Sequence, residues 1–104
     1  MTKADLIAKI AQDTELDKLQ VQSTIESFFN VVKDSMESGE NIYVRGFGSF
    51  VNKKRARKVA RNISKGTAVV VEPHYVPSFK PSKNFVDRVK ASSRVRMREE
   101  AKNA

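Results

Sequence analysis

The run Gly46-Phe47-Gly48-Ser49-Phe50-Val51-Asn52-Lys53-Lys54-Arg55-Ala56-Arg57-Lys58-Val59-Ala60-Arg61-Asn62 decides the fold, together with Ile63-Ser64-Lys65-Gly66 and the return through Ala68-Val69-Val70-Val71 to Val76-Pro77-Ser78-Phe79. Both limbs read as strands. The return limb is rich in β-branched residues, and Asn62 to Gly66 carries the turn chemistry between them. From Lys53 to Lys65 seven residues are basic (Lys53, Lys54, Arg55, Arg57, Lys58, Arg61, Lys65) and none is acidic. Charged side chains leave both faces of the outgoing strand, so this hairpin is not a core hairpin. A two-stranded hairpin alone is marginally stable at best. It must project from something else, as an arm over about residues 52–76, and it suits a polyanion.

Composition bounds the body that carries the arm. A chain of 104 residues is one domain. Without the arm, roughly 75–80 residues remain for a core, a size that is marginal alone. Oligomerisation is the usual remedy, and there is no cysteine for a disulfide. The absence of cysteine fits a cytoplasmic protein. No apolar run follows Met1-Thr2-Lys3-Ala4-Asp5 as in a signal peptide, and no stretch is apolar enough to span a membrane. The formal net charge of +8 is uneven. Residues 1–44 carry four basic and eight acidic residues, and residues 45–104 carry sixteen basic and four acidic. A mildly acidic scaffold with a strongly basic second half points to nucleic acid or an anionic surface as partner.

Around the arm the chain reads as an α+β domain. Thr2 caps a first helix, with Leu6, Ile7, Ile10 and Ala11 at helical spacing, that fades near Asp13-Thr14. Asp17 with Gln20 marks a second start. Val21, Ile25, Phe28, Phe29, Val32 and Met36 then form the apolar face of a long helix that ends at Gly39. This helix carries Glu26, Asp34 and Glu37, which phosphates would repel, so it is not a recognition helix. Asn41 to Val44 is a short strand, and Gly46-Phe47-Gly48 a turn with Phe47 and Phe50 packed on helices. Ser82 caps a last helix from Lys83, with Phe85, Val86 and Val89 on its buried side. Its N-terminus adds amides and dipole to the Lys83 charge. Residues 91–104 form a basic extension, either a continuation of that helix or a frayed tail.

Catalytic and metal chemistry find no constellation. The one histidine, His74, has no cysteine or second histidine beside it, and reads as a hydrogen-bonded or surface residue. Ser64-Lys65-Gly66-Thr67 lacks the order of a phosphate-binding loop. No nucleophile–base pair is evident. The expectation is a non-enzyme with no cofactor and no small-molecule substrate.

Gly46-Phe47-Gly48-Ser49-Phe50, Arg55-Ala56, Arg61-Asn62, Gly66, Val76-Pro77-Ser78-Phe79 and Lys83 resemble the bacterial histone-like proteins of the HU and integration-host-factor type. Residues 1–90 match the usual length of that family, and 91–104 lie beyond it. The resemblance implies an intertwined dimer with a helical body, a saddle of short sheets and two arms reaching around a DNA duplex. It implies minor-groove or phosphate contacts for Arg55, Lys58 and Arg61, and flank contacts for Lys3, Gly46 and Lys83. It also implies an arm residue that wedges between base pairs. The family pattern has a proline after the Arg-Asn pair and a small polar residue two positions on. This chain has Ile63 and Lys65, so the wedge position is isoleucine.

Three readings follow. The first is an architectural nucleoid-associated protein that binds double-stranded DNA with little sequence specificity and bends or compacts it. Its DNA contacts are Lys3, Gly46, Lys53, Lys54, Arg55, Arg57, Lys58, Arg61, Asn62, Ile63, Lys65 and Lys83. Its partner is a second copy, or a paralogue, and its place the cytoplasmic nucleoid. The arm's reach fits: about eleven residues at ~3.3 Å give ~36 Å, near one turn of duplex. The alternative is an RNA-binding or ribosome-associated protein. Against it, no aromatic lies between Asn52 and His74 on which single-stranded bases could stack. The third is a purely structural or membrane-surface protein; interfacial binding would need an apolar face that the arm lacks.

Overall fold

The computed structural model describes residues 1–62 and 66–103. In chain order these form α1 (Lys3–Thr14), α2 (Lys18–Glu37), β1 (Ile42–Val44), β2 (Gly48–Arg55), β3 (Lys58–Asn62), β4 (Thr67–Val71), β5 (His74–Pro81), α3 (Lys83–Lys90) and α4 (Ser93–Asn103). The chain divides into two compact units, Met1–Ser38 and Gly39–Ala104.

The first unit is a helical pair. Thr2 and Asp5 form a reciprocal capping box. The Asp5 amide donates to the Thr2 hydroxyl (3.3 Å), and the Thr2 amide to the Asp5 carboxylate (2.9 Å). These bonds hold the Asp5 carboxyl below its ordinary range, the backbone bond from Thr2 having the larger effect. α1 ends at Glu15, whose φ of 60° is left-handed. A side chain at such a position costs roughly 1–2 kcal/mol, which glycine would avoid. Asp17 accepts from the Gln20 amide at 3.4 Å and starts α2. Gly39, at φ 91°, follows the last turn as expected. α1 packs along α2, and Ile7, Val21 and Met36 are the buried hydrophobic residues among those described.

The second unit holds an antiparallel sheet in the order β1-β2-β5, and a separate antiparallel ribbon of β3 with β4. The register pairs Ile42 with Phe50 and Phe50 with Phe79. Phe47, Phe50 and Phe79 gather with Phe85 of α3, at ring-centroid distances from 5.1 to 6.4 Å. The helix that the sequence expects behind Phe47 is therefore α3. Ser82 joins the turn to that helix. Its hydroxyl donates to the Gly46 carbonyl (3.0 Å) and accepts from the Phe85 amide (3.2 Å), while its own amide donates to the Phe47 carbonyl (2.9 Å). Gly48 is forced: a Cβ there would lie 2.6 Å from the Lys80 carbonyl oxygen and 2.7 Å from the Phe79 ring.

Two sequence expectations are refined. The arm is one hairpin in a single antiparallel register, but its ladder is interrupted: each limb breaks once, at Ala56-Arg57 and at Glu72-Pro73. Proline has no N–H to donate, so the ladder stops there. Residues 91–103 neither continue α3 nor fray directly from it. α3 closes at Ala91, whose amide donates to the Asp87 carbonyl (3.0 Å), and α4 begins at Ser93.

One chain leaves much apolar surface uncovered. Phe28 is 46% exposed, Phe47 45% and Phe79 39%, an amount that calls for a partner. Sedimentation at micromolar concentration is expected to give about twice the 11.7 kDa chain mass; a cooperatively folded monomer would contradict this. Separately, Gly48→Ala should lower stability in urea by about 1–3 kcal/mol, because the backbone oxygen of Lys80 cannot yield as a flexible side chain would.

Candidate nucleic-acid interface

Strand alternation gives the three-stranded sheet two chemically different faces. Ile42, Val44, Phe50, Phe79 and Pro81 share one face by register. The other carries Lys53, Arg55 and Lys80 with Ser49, Ser78 and Tyr43. Tyr43, Ser49 and Lys80 lie directly across from one another on β1, β2 and β5. Beside them Arg45 helps to line a shallow hollow of about 520 Å³. The sheet therefore offers cations and hydroxyls on one side while its aromatic side holds the fold.

The cationic face continues onto the arm. Arg55 lies across from His74, and Lys54, on the aromatic face, across from Tyr75. Beyond the break, Lys58 is paired with Val71 and Arg61 with Ala68. Each described cation of the outer ribbon thus faces an aliphatic residue, and none has a carboxylate opposite. Among the described residues the one ion pair is Lys3–Glu26, at 3.3 Å. His74 Nδ1 donates to the Glu72 carbonyl at 2.9 Å, a bracket across the break. No group of three or more metal-type ligands occurs among the described residues, and none of their helices is long and apolar enough to cross a membrane.

The expected site residues are not all placed together. Gly46 and Lys83 meet at one locus, on either side of Ser82. Lys53 and Arg55 share the cationic face; Lys54 does not. Arg57 lies in the break, and Lys58 begins the outer ribbon. Arg61 and Asn62 are described through their backbone register alone. Ile63 and Lys65 lie outside the described residues. Lys3 belongs to the helical unit, where Glu26 engages it. Sequence reasoning overlooked Arg45, Ser49, Ser78 and Lys80. Their signal is a period of two along β2 and β5, which acquires meaning once the register sets Lys80 beside Ser49.

A sequence profile described as bacterial DNA-binding protein matches residues 1–90. The integration host factor subunit beta of Shewanella amazonensis is 42% identical over 92 residues, covering 88% of this chain and 97% of that protein. Its counterpart in Shewanella pealeana is 41% identical over the same length. Among solved structures, that of Anabaena HU cocrystallised with DNA superimposes with a TM-score of 0.83 at 24% identity, over 88% of this chain and 100% of that one. The V42I mutant of HU from Thermotoga maritima gives 0.66 at 27% identity, over 86% and 99%.

The Lys3–Glu26 pair yields a titration. Hydrogen bonds from Lys3 and then Gln22, with the Lys3 charge, hold the Glu26 carboxyl below the usual glutamate range. The folded value is depressed, so the pairing is complete above the unfolded value and is lost as pH falls through the folded one. Carbon-detected NMR should show Glu26 titrating below ordinary glutamates, and Lys3→Ala should move its midpoint up. An unchanged midpoint would mean that the pair does not form in solution.

Proposed function

The chain belongs to the bacterial DNA-binding protein family, the family of HU and integration host factor, and on that premise we propose that it binds double-stranded DNA with little sequence specificity and bends or compacts it in the cytoplasmic nucleoid. The observation that carries this reading is the outer ribbon, whose cations face aliphatic residues across the strand pair. A solvated surface would tolerate acids among these cations. No acid occurs in either strand of the ribbon, so its net charge suits an external polyanion, and counterion release on binding supplies affinity without regard to sequence. The RNA-binding alternative is set aside, because the family is one of DNA-binding proteins and the arm offers no stacking platform.

The proposed division of labour follows the geometry. Lys53 and Arg55 carry the contact from the sheet's cationic face onto the arm, and Arg57, Lys58, Arg61, Asn62 and Lys65 extend it around the duplex. Lys54 contributes from the opposite face. Lys83, in the first turn of α3, adds its charge to the helix dipole beside the Gly46 turn. Lys3 supplies a flank contact once released from Glu26. Arg45 and Lys80 join this set on the strength of their place in the sheet. The active unit is a dimer of two copies, with a paralogue as second subunit the alternative. The name of the Shewanella relatives, subunit beta, favours testing both. Residues 1–90 form the binding domain.

Seven basic arm residues per chain, doubled in a dimer, cannot all reach phosphates. With roughly half in contact, log affinity should fall with log salt at a slope of about −6. Arg55→Ala or Arg61→Ala should weaken binding to unrelated sequences alike and reduce the slope by about one unit. Loss confined to one sequence would instead indicate base readout.

Ile63 is the proposed wedge at the arm's turn. A branched aliphatic side chain that enters a base step unstacks it at a cost of about a few kcal/mol, least at flexible pyrimidine–purine steps. Isoleucine keeps an N–H that proline lacks, and so makes a softer wedge. End-to-end fluorescence transfer on a short duplex tests this. Ile63→Ala should keep the salt slope but bend DNA less, and Ile63→Pro should bend it at least as much as the parent. Equal bending by the parent and the alanine form would reduce the arm to an electrostatic clamp.

A further inference from the structure

The family match ends at residue 90, and α4 begins at Ser93. From Arg88 to Arg98 five residues are basic and none is acidic: Arg88, Lys90, Arg94, Arg96 and Arg98. Arg88 and Lys90 occupy the last turn of α3. Arg96 reaches back to that turn, its Nη2 donating to the Lys90 carbonyl at 3.2 Å. This satisfies one of the acceptors that a helix end leaves open. Ser92 accepts from the Val95 amide at 3.4 Å and starts α4.

α4 has no core to serve. Val95 and Met97 are both exposed, and at ~100° per residue they point to different sides of the helix. A helix of 11 residues is below the ~12–15 that hold together alone in water. A helix that is polar all round is marginal without further contacts. Its charges are sorted in part. Arg94 and Arg98, four residues apart, share one face, while Arg96 lies on the opposite side with Glu99 and Glu100. Neither Arg94 nor Arg98 has a carboxylate partner among the described residues.

We propose that α4, with Arg88 and Lys90 before it, is a second phosphate-binding element, which is ordered by duplex DNA and lengthens the stretch of DNA the protein covers. The proposal rests on the DNA-binding reading above. Charge complementarity selects the occupant. A duplex carries one charge per ~1.7 Å of axis, a density that five cations within eleven residues can use. The chain's own acidic half, on a second copy, is the poorer match. There three of the eight acids are engaged, Asp5 and Asp17 in helix caps and Glu26 with Lys3, and the other five are spread from Asp13 to Glu40, in a half that also holds four basic residues, far below the charge density of a duplex.

The full-length chain carrying Arg94→Gln, Arg96→Gln and Arg98→Gln together is the test, beside the triple Arg→Lys form. The glutamine form should lower the salt slope of duplex binding by about two units or more and require a shorter minimal duplex. The lysine form should keep the parent slope, because phosphate neutralisation needs charge and not the guanidinium plane. Lys9→Gln with Lys18→Gln, which removes charge from the helical unit, should also leave the slope unchanged. Amide hydrogen exchange over residues 93–103 should slow when duplex is added to the parent, and should not in the glutamine form. Parent slope and parent exchange in the glutamine form would overturn the proposal, as would weakened self-association with intact DNA binding. Failure of the parent itself to bind duplex would instead overturn the reading on which the proposal rests.

Discussion

The contact among Phe47, Phe50, Phe79 and Phe85 governs the second unit of the chain. It joins a turn, two strands and α3, with ring centroids as close as 5.1 Å. Each aromatic side chain brings a large apolar area, and offset or tilted pairs add some 0.5–1.5 kcal/mol beyond it. The cluster also sets the backbone. It draws Gly48 so near β5 that only a residue without a side chain fits. It brings the Gly46 carbonyl to the Ser82 hydroxyl that caps α3. Loss of any ring would therefore loosen a turn, a strand pairing and a helix start together.

Because the aromatic side of the sheet holds the ring cluster, its other side packs only in part, at half-buried Ser49, Val51, Val76 and Ser78. That is how Lys53, Arg55 and Lys80 can stand together without a buried charge to compensate. Exposed cations cost little while water and counterions surround them. The same arrangement would be unfavourable in a core, where each charge needs a partner. Strand alternation separates the two demands in large part: Lys53, Arg55 and Lys80 leave one face and the rings the other, with Lys54 on the aromatic face and half-buried Val51 and Val76 on the cationic one as the exceptions.

Much of this was legible in the sequence, for local reasons. Thr2, Asp17 and Ser82 cap helices because hydroxyl and carboxylate side chains satisfy open amides at the start of any helix. Gly39 marked a stop because a left-handed φ, here 91°, suits a residue without a side chain. What escaped depended on contacts distant in sequence or on weak signals. Glu15 adopts a left-handed φ for which its side chain gives no cue. Glu26 meets Lys3 from 23 residues away. Lys80 joins the cationic face only through its pairing with Ser49. α4 escaped because it lacks the apolar stripe by which helices are recognised. The arm as a cationic hairpin was legible, yet its division in two was not drawn from Pro73.

The double break at Ala56-Arg57 and Glu72-Pro73 has a kinetic meaning. Since the ladder stops there, the outer ribbon of five paired positions is a cooperative unit of its own, able to open at less cost than the sheet beneath it. In the binding mode proposed above, a subunit on DNA is tethered twice, by its sheet face and by its ribbon. Release of the ribbon leaves it at high local concentration next to the groove it has vacated, so it rebinds faster than the protein departs. Residence on DNA becomes a matter of successive detachments, and a competitor that captures one freed ribbon can displace the protein piece by piece without waiting for it to leave whole.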